Sequence, residues 1–147
     1  MKTVHIVEAK RSPIGRFGGG LKSLTAADLA CAVADVVAAK NLREHIGQII
    51  LGQVLQAGSG MNVARQVGLK LGVPQRVPAF TVNMACGSSL NAVALGAAAI
   101  SCGESGIVLA GGVESMSRAP HYVMDLRWGK KFGDVAMLDA KIGRAHV

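Results

Sequence analysis

Cys86 is the residue of this sequence that is best placed to do chemistry. It lies in residues 83–90, NMACGSSL, where a predicted strand turns into a predicted helix. A side chain at such a turn projects from the end of a sheet, and the free N–H groups of the helix N-terminus favour thiolate over thiol. A thiolate attacks thioester carbonyls. Cys86 is therefore a candidate nucleophile, with Gly87 allowing close backbone approach and the backbone N–H of Cys86 as a candidate donor to an oxyanion.

The other two cysteines are predicted to be structural. Cys31 falls inside a predicted amphipathic helix and Cys102 at the end of another helix. An isolated cysteine usually behaves as a small buried hydrophobe. For Cys86, its position at the turn leaves that role and the role of nucleophile equally open. None of the three has neighbours at ligand spacing, so no metal site is predicted.

The elements around Cys86 are predicted to form a layered α/β fold, because strands alternate with helices along the chain. Thr25 and Asp28 predict a capping box at the start of the first helix, and Gly72 and Gly103 predict the ends of the second and third. The third helix is apolar nearly all round, which predicts burial on most sides, and the last strand is wholly apolar, which predicts a central position. Strands are expected at residues 3–9, 48–55, 80–83 and 106–111, and helices at residues 26–40, 62–71 and 88–101.

The composition limits the class of protein. The 147 residues suit one domain with a core, and 50% hydrophobic against 17% charged residues excludes a disordered chain. The net charge of +7 is scattered, without the basic and aromatic stripe of a nucleic-acid-binding surface, so no nucleic-acid partner is predicted. The charge fits a solvated surface, or one that attracts a phosphate-bearing substrate such as a coenzyme A thioester.

No membrane partner and no signal peptide are predicted. No uninterrupted apolar run reaches the roughly 18 residues that cross a bilayer, and the N-terminus lacks a basic region, an apolar stretch and a cleavage site in succession. Three cysteines are an odd number without framework spacing, which suits a reducing compartment. A cytoplasmic location is therefore expected.

Five segments, in order along the chain, resemble the sequence signatures of thiolases. On these segments the chain is identified as a member of the thiolase family. Residues 53–66 are more similar to the acetyl-CoA acetyltransferase (acetoacetyl-CoA thiolase) branch than to the long-chain degradative branch. The five segments are residues 11–15, 52–58, 62–66, 83–93 (the active-site cysteine segment) and 111–120 (the second N-terminal signature).

The resemblance implies an acyltransferase of fatty acid metabolism. Thiolases transfer an acyl group from one coenzyme A thioester to the nucleophilic cysteine, here Cys86, and then to the α-carbon of a second thioester. The reverse reaction cleaves a 3-ketoacyl-CoA. Acetyl-CoA or 3-ketoacyl-CoA is therefore the expected partner, no cofactor is expected, and the expected assembly is a homodimer or homotetramer. The implied fold is thiolase-like, with a mixed sheet and a buried helix after the nucleophile.

One position departs from the thiolase pattern. The family has glycine after the first serine of the cysteine segment, whereas this chain has Ser89. Consecutive serines after the cysteine are typical of the related ketoacyl synthases, although residues 111–120 argue against that assignment. A ketoacyl synthase-like condensing enzyme and a non-catalytic, thiolase-like acyl-CoA-binding protein are the alternatives.

The resemblance also divides the chain. Residues 1–120 are expected to form an incomplete N-terminal α/β domain, and residues 121–141 the start of the family's loop domain. Residues 142–147 leave the pattern abruptly and can be back-translated into a sequencing-library adapter, so they are expected to be a non-native tail.

The catalytic machinery of thiolases is expected to be incomplete in this chain. Their histidine base and second cysteine lie in a C-terminal half that has no counterpart here. Three of the chain's four histidines, His5, His45 and His121, are expected to be structural or solvated, and the fourth, His146, lies in the expected non-native tail. Alone, the chain is expected to undergo at most slow acylation at Cys86.

Overall fold

A computed structural model describes residues 3–124 and 126–141 of the chain. Helices and strands alternate through this part of the chain, which confirms the predicted α/β class. The helices are α1 (Ala26–Val37), α2 (Val63–Leu71) and α3 (Ser88–Cys102). The strands are β1 (Gln48–Gly52), β2 (Ala79–Val82), β3 (Val108–Gly112), β4 (His121–Tyr122) and β5 (Leu138–Asp139), and 3-10 turns cover Lys40–His45, Met116–Arg118 and Leu126–Trp128.

The core is a three-stranded parallel sheet with helices on both faces. Its strand order is β2-β1-β3, so β1 is central. Ile49 and Leu51 point from β1 into a buried cluster formed with α1 and α2. Ile50 alternates to the opposite face, where α3 packs so closely that a Cβ at Gly96 would lie 3.0 Å from Val108 Cγ1 of β3. The sheet is therefore the middle layer of three.

The helix boundaries follow the capping signals in the sequence. The Thr25 hydroxyl accepts a hydrogen bond from the Asp28 N–H at 3.1 Å, and Asp28 accepts one from the Thr25 N–H at 3.3 Å. Asn62 caps α2 by accepting from the Arg65 N–H at 3.1 Å. These contacts confirm the predicted capping box and the predicted start of α2, because caps satisfy N–H groups that no helical carbonyl reaches.

The helices also end at signals that lie next to them in the sequence. Gly72 and Gly103, which follow α2 and α3, adopt left-handed backbone angles, with φ of +74° and +80°. Glycine adopts this conformation without the steric cost that a Cβ brings. α1 ends at Val37 and not near Lys40, as the sequence predicts, because residues 40–45 tighten into a 3-10 turn.

The predicted first strand is absent from the described residues. Residues 3–9 form neither helix nor strand, and Ile6 and Val7 are 78% and 86% exposed. Their β-branched character is typical of strands, but β-propensity mainly reflects the fit of a side chain to a half-buried pleated surface. These residues do not contact such a surface here, so the prediction was wrong for this segment.

β3 lies at an edge of the sheet, which corrects the expected central position. It is apolar because helices cover both of its faces: Val108 contacts α3, and Leu109 packs against the cluster of α1 and α2. The hydrophobicity of a strand indicates that its faces are covered, but it does not indicate whether both of its edges are paired. The antiparallel pair β4–β5 forms a separate sheet, so within the described residues parallel and antiparallel strands do not share one mixed sheet. The expected tail, residues 142–147, lies outside the described residues.

α3 is buried on one side only, which corrects the expected burial on most sides. Its buried residues are Ser88, Ala92, Gly96 and Ala99, whereas Leu90 is 74% exposed. The window Ala85–Cys102 is long and apolar enough to cross a membrane by composition, with 22% of it buried, a test that core helices of soluble proteins also pass. The helix itself has 15 residues. That is about 22 Å of helix, short of a hydrocarbon core of about 30 Å.

Candidate active site

The candidate site lies where the three parallel strands of the main sheet end. Because β1, β2 and β3 run in the same direction, the segments that follow them meet at one edge. Such edges are the usual ligand sites of open α/β sheets. The Glu114 carboxylate joins two of these segments by accepting from the N–H groups of Val54 at 2.9 Å and Leu55 at 3.2 Å. Asn83 joins the third, since its Nδ2 donates to the Val54 carbonyl at 3.4 Å.

Cys86 sits in the turn between β2 and α3, as the sequence predicts, and is exposed to solvent. The preceding residue, Ala85, has φ of +47° and is the one non-glycine residue with positive φ in the described ranges. The left-handed region costs an L-residue with a Cβ roughly 1–2 kcal/mol. Among the described residues, no hydrogen bond involves the Cys86 thiol.

Side chains on both sides of Ala85 hold this turn. The Asn83 Oδ1 accepts from the Ala85 N–H at 3.0 Å. The Ser88 hydroxyl donates to the Ala85 carbonyl at 2.7 Å and accepts from the Met84 N–H at 2.8 Å. Ser88 is only 4% exposed, so both hydrogen bonds are shielded from water. Sequence reasoning did not single out Asn83, Ser88 or Glu114; the one signal was a polar residue at the start of an otherwise apolar helix.

Two glycines bring the start of α3 down onto the sheet. Gly52 ends β1, Gly112 ends β3, and the two are paired in register. A Cβ at Gly52 would lie 2.7 Å from Ser88 Cβ, and a Cβ at Gly112 would collide with the Ser89 hydroxyl. Ser89, which departs from the thiolase pattern, thus occupies space that any side chain at position 112 would fill.

The remaining cysteines lie elsewhere. Cys31 is half-buried between α1 and α2, with its Sγ 4.0 Å from the Val67 carbonyl, and burial raises the pKa of this thiol. Cys102 is exposed at the far end of α3 from Cys86. A 15-residue helix is about 22 Å long, so the thiols of Cys86 and Cys102 cannot act on one substrate atom.

The candidate bases and ligands do not gather at Cys86. His45 precedes β1 and therefore lies at the opposite edge of the sheet. His5 and His121 are exposed. Within residues 3–124 and 126–141, no three His, Cys, Asp or Glu side chains come together in a way that could hold a metal ion.

A separate surface pocket of about 200 Å³ lies at the start of α1 and includes none of residues 83–90. Its acidic residue is Asp28, whose pKa is lowered to about 2 by hydrogen bonds from the Lys70 ammonium and then from the Thr25 hydroxyl and N–H. Arg118 also lines the pocket and donates to the Ser23 carbonyl at 3.4 Å. The charged groups of this pocket are thus engaged with the protein itself.

The chain matches known proteins over most of its length. The family described as "Thiolase, N-terminal domain" matches residues 4–145. An acetyl-CoA acetyltransferase of Allochromatium vinosum is 48% identical over 143 residues, which are 96% of this chain and 36% of that protein. One of Cupriavidus necator is 46% identical over 144 residues, 97% of this chain and 37% of that protein.

Solved structures give the same result. The human mitochondrial 3-ketoacyl-CoA thiolase, crystallised in complex with CoA, has a TM-score of 0.85 and 40% identity to this chain, covering 90% of this chain and 34% of that one. The chain spans about a third of the length of the curated relatives it matches.

Proposed function

The chain belongs to the thiolase family, and from that membership we propose that Cys86 is the acyl-accepting nucleophile of a thiolase-type acyltransferase. The observation that carries the proposal is the exposed Cys86 thiol at a strained strand-to-helix turn, on the edge where three parallel strands end. Nucleophiles presented at such turns are open to substrate on one side and supported by the sheet on the other.

In the first half-reaction, the Cys86 sulfur attacks the thioester carbonyl of acetyl-CoA. A bond forms between Sγ and the carbonyl carbon, the bond to the coenzyme sulfur breaks, and free coenzyme A leaves with the proton of the thiol. We propose the backbone N–H of Cys86 as one donor to the oxyanion that forms in between. The product is an acetyl-Cys86 thioester.

In the second half-reaction, a second acetyl-CoA loses its α-proton to a base, and its α-carbon attacks acetyl-Cys86. A carbon–carbon bond forms, the bond between Sγ and the acetyl carbon breaks, and acetoacetyl-CoA leaves. The base then returns the proton to the Cys86 thiolate, and thiolysis of a 3-ketoacyl-CoA is the reverse. A thioester is already activated, so neither half requires a metal or prosthetic group. We propose that the base belongs to the part of the relatives' length that has no counterpart in these 147 residues.

Charge and exposed surface support the proposed partners. A net charge of +7 attracts the phosphates of a coenzyme A thioester. Within residues 3–124 and 126–141 no strand pairs with the outer edge of β2, and Phe80 and Met84 beside it are 37% and 54% exposed. An edge strand with exposed apolar side chains favours pairing with a second copy, so we propose a homodimer or homotetramer of the whole protein in the cytoplasm.

Mass spectrometry of the chain after incubation with acetyl-CoA tests the proposal. We expect slow addition of one acetyl group, found on Cys86 after peptide mapping, and no continuing release of free coenzyme A. Cys86→Ala should abolish the adduct, whereas Cys102→Ala, which removes an equally exposed thiol, should leave it unchanged. Equal labelling of Cys86 and Cys102 would show that Cys86 has no special reactivity.

Malonyl-CoA separates the proposal from the ketoacyl synthase alternative. A thiolase-type protein condenses acetyl units directly, so the whole protein should use acetyl-CoA as the condensing partner. The sequence feature that favours a ketoacyl synthase is Ser89. The contact of the Ser89 side chain with Gly112 gives this serine a packing role that does not depend on the reaction. Condensation that required malonyl-CoA would overturn the assignment.

A further inference from the structure

We infer that Ser88, together with Asn83, is a positioning residue that holds the Cys86 thiol in its reactive direction. The inference rests on the proposed function in taking Cys86 as the nucleophile. It concerns the peptide groups on either side of Ala85, the residue with φ of +47°. Asn83 accepts from the N–H of Ala85, and Ser88 donates to its carbonyl.

The Ser88 hydroxyl does not cap its own helix. The residue that caps α3 is Gly87, and no side chain makes a capping hydrogen bond there. Both hydrogen bonds of Ser88 go backwards, to the Met84 N–H and the Ala85 carbonyl. A buried serine at the first position of a helix therefore serves the preceding turn, and the turn carries Cys86.

The direction of the Cys86 side chain depends on this turn. If Ala85 relaxed to negative φ, the peptide between Ala85 and Cys86 would rotate and carry the Cα–Cβ bond of Cys86 with it. The Cys86 thiol would then no longer point as it does in this structure. The hydrogen bonds from Asn83 and Ser88 to the peptide groups of Ala85 oppose that rotation.

Asn83 extends the support to the rest of the strand-end edge. Its Nδ2 donates to the Val54 carbonyl at 3.4 Å, and the Val54 N–H donates to Glu114 at 2.9 Å. A continuous set of hydrogen bonds thus runs from the segment after β3, through the segment after β1, to the turn before α3. Asn83 is exposed, so replacing it perturbs the turn without opening the core.

Alkylation with iodoacetamide at neutral pH, followed cysteine by cysteine, tests the inference on the 147-residue chain. Cys102 in the same molecule is the internal reference. In Ser88→Ala we expect the Cys86 rate at neutral pH to fall about threefold to tenfold relative to Cys102, as the loss of one or two hydrogen bonds implies. The ratio of the Cys86 rate to the Cys102 rate is the readout, because a general loss of structure would change both rates.

Matched variants separate positioning from general damage. Ser88→Thr keeps the hydroxyl and should restore most of the Cys86 rate. Ser89→Ala removes the neighbouring hydroxyl, which lies against Gly112 and not against the turn, and should change the rate less than about twofold. Asn83→Ala should also lower the Cys86 alkylation rate. If Ser88→Ala fails to fold, the Asn83→Ala result alone tests the inference. An unchanged Cys86 rate in both Ser88→Ala and Asn83→Ala, or a fall shared equally by Cys86 and Cys102, would refute the inference.

The test also distinguishes the inference from the proposed function, because iodoacetamide needs no coenzyme A recognition. If Cys86 is alkylated in a Ser88-dependent way but acetyl-CoA never labels it, the proposed function fails and the positioning role stands. If acetyl-CoA labels Cys86 equally fast in wild type and Ser88→Ala, the positioning role fails and the proposed function stands.

Discussion

Single residues at the strand ends decide how closely α3 approaches the sheet. Gly52 and Gly112 lie side by side under Ser88 and Ser89, and neither position has room for a side chain. The serines and glycines are therefore coupled through one contact surface. A change at one of these positions should depend on the residue opposite, in the way that neighbouring core substitutions are not additive.

Gly112→Ala should destabilise the chain by about 1–3 kcal/mol, since the added methyl group overlaps the Ser89 hydroxyl and must displace the start of α3. Urea unfolding followed by circular dichroism measures the change. The double variant Gly112→Ala/Ser89→Gly should recover part of the loss, whereas additive losses would show that the two residues do not meet. The carbonyl of Gly52, 3.1 Å from the same position, limits the recovery.

At the scale of elements, charged side chains fasten α1 to α2. Lys70 of α2 pairs with Asp28 in the first turn of α1. Arg43, which follows α1, donates to the carbonyls of Ala38 at 3.0 Å and Leu71 at 2.9 Å, at the C-terminal ends of both helices. A cation there satisfies carbonyls that the helices leave unpaired and complements their dipoles.

Asp28→Asn should lower stability at neutral pH and have little effect in strong acid. The pKa of Asp28 is about 2 in the folded chain, against an ordinary value of 3.8, so its stabilising effect is complete above 3.8 and is lost as the pH falls towards 2. Urea midpoints of the wild type and the variant, measured from pH 7 to pH 2, should converge over that window. Lys70→Gln should remove most of the same pH-dependent difference, and midpoints separated equally at both ends of the range would contradict the pairing.

Arg43→Ala should cost about 1.5–3 kcal/mol of unfolding free energy, because its side chain is only 13% exposed and makes charge-assisted hydrogen bonds to both helix ends. Lys40→Ala, an exposed cation in the same 3-10 turn, is the control and should change stability by less than about 0.5 kcal/mol. Thermal unfolding of both variants compares them directly. Equal losses would mean that general charge, and not the Arg43 contacts, stabilises this corner.

Sequence predicted the elements whose signals are local. The capping residue Thr25 and the terminal glycines Gly72 and Gly103 each act within a few residues of the helix end, so their effect can be predicted without knowing the fold. The position of Cys86 between a strand and a helix was predictable for the same reason. Whether a segment forms a strand, and whether that strand lies at the edge or the centre of a sheet, depends on partners that are distant in sequence. For this reason the predictions for β3 and for residues 3–9 were wrong.

The supporting residues of the candidate site were hidden for a related reason. Glu114 contacts Val54 across 60 positions of sequence, and Asn83 contacts Val54 across 29. No periodicity or spacing in the sequence predicts such pairs. The turn that carries Cys86 could be predicted from its own neighbours, whereas the hydrogen bonds around that turn depend on three strand ends meeting in space.

At the scale of the whole molecule, apolar surface is exposed along α3 and the β2 edge. Leu90 is 74% exposed, and Val93 and Leu95 are 38% and 37% exposed on the same helix. Exposed apolar side chains on a helix favour association. The 147-residue chain should therefore self-associate and be poorly soluble at high concentration.

Leu90→Gln should weaken that self-association roughly tenfold, since burying a leucine contributes on the order of 1.5–3 kcal/mol. Sedimentation velocity over a range of concentrations measures the effect. Met61→Gln replaces an even more exposed side chain, 97%, in a loop away from α3, and should leave association unchanged. Equal weakening by both variants would point to general stickiness and not to the α3 face.

The central position of β1 also determines the order in which the sheet can assemble during biosynthesis. Its partners β2 and β3 come later in the chain, and Gly112 follows its register partner Gly52 by 60 residues (112 − 52). At about 5–20 residues per second, a ribosome needs roughly 3–12 s to make that stretch. Cys86 is synthesised within this interval, before Glu114 exists to join the segment after β3 to the segment after β1. On a nascent chain, Cys86 is therefore made before the strand-end edge around it is complete.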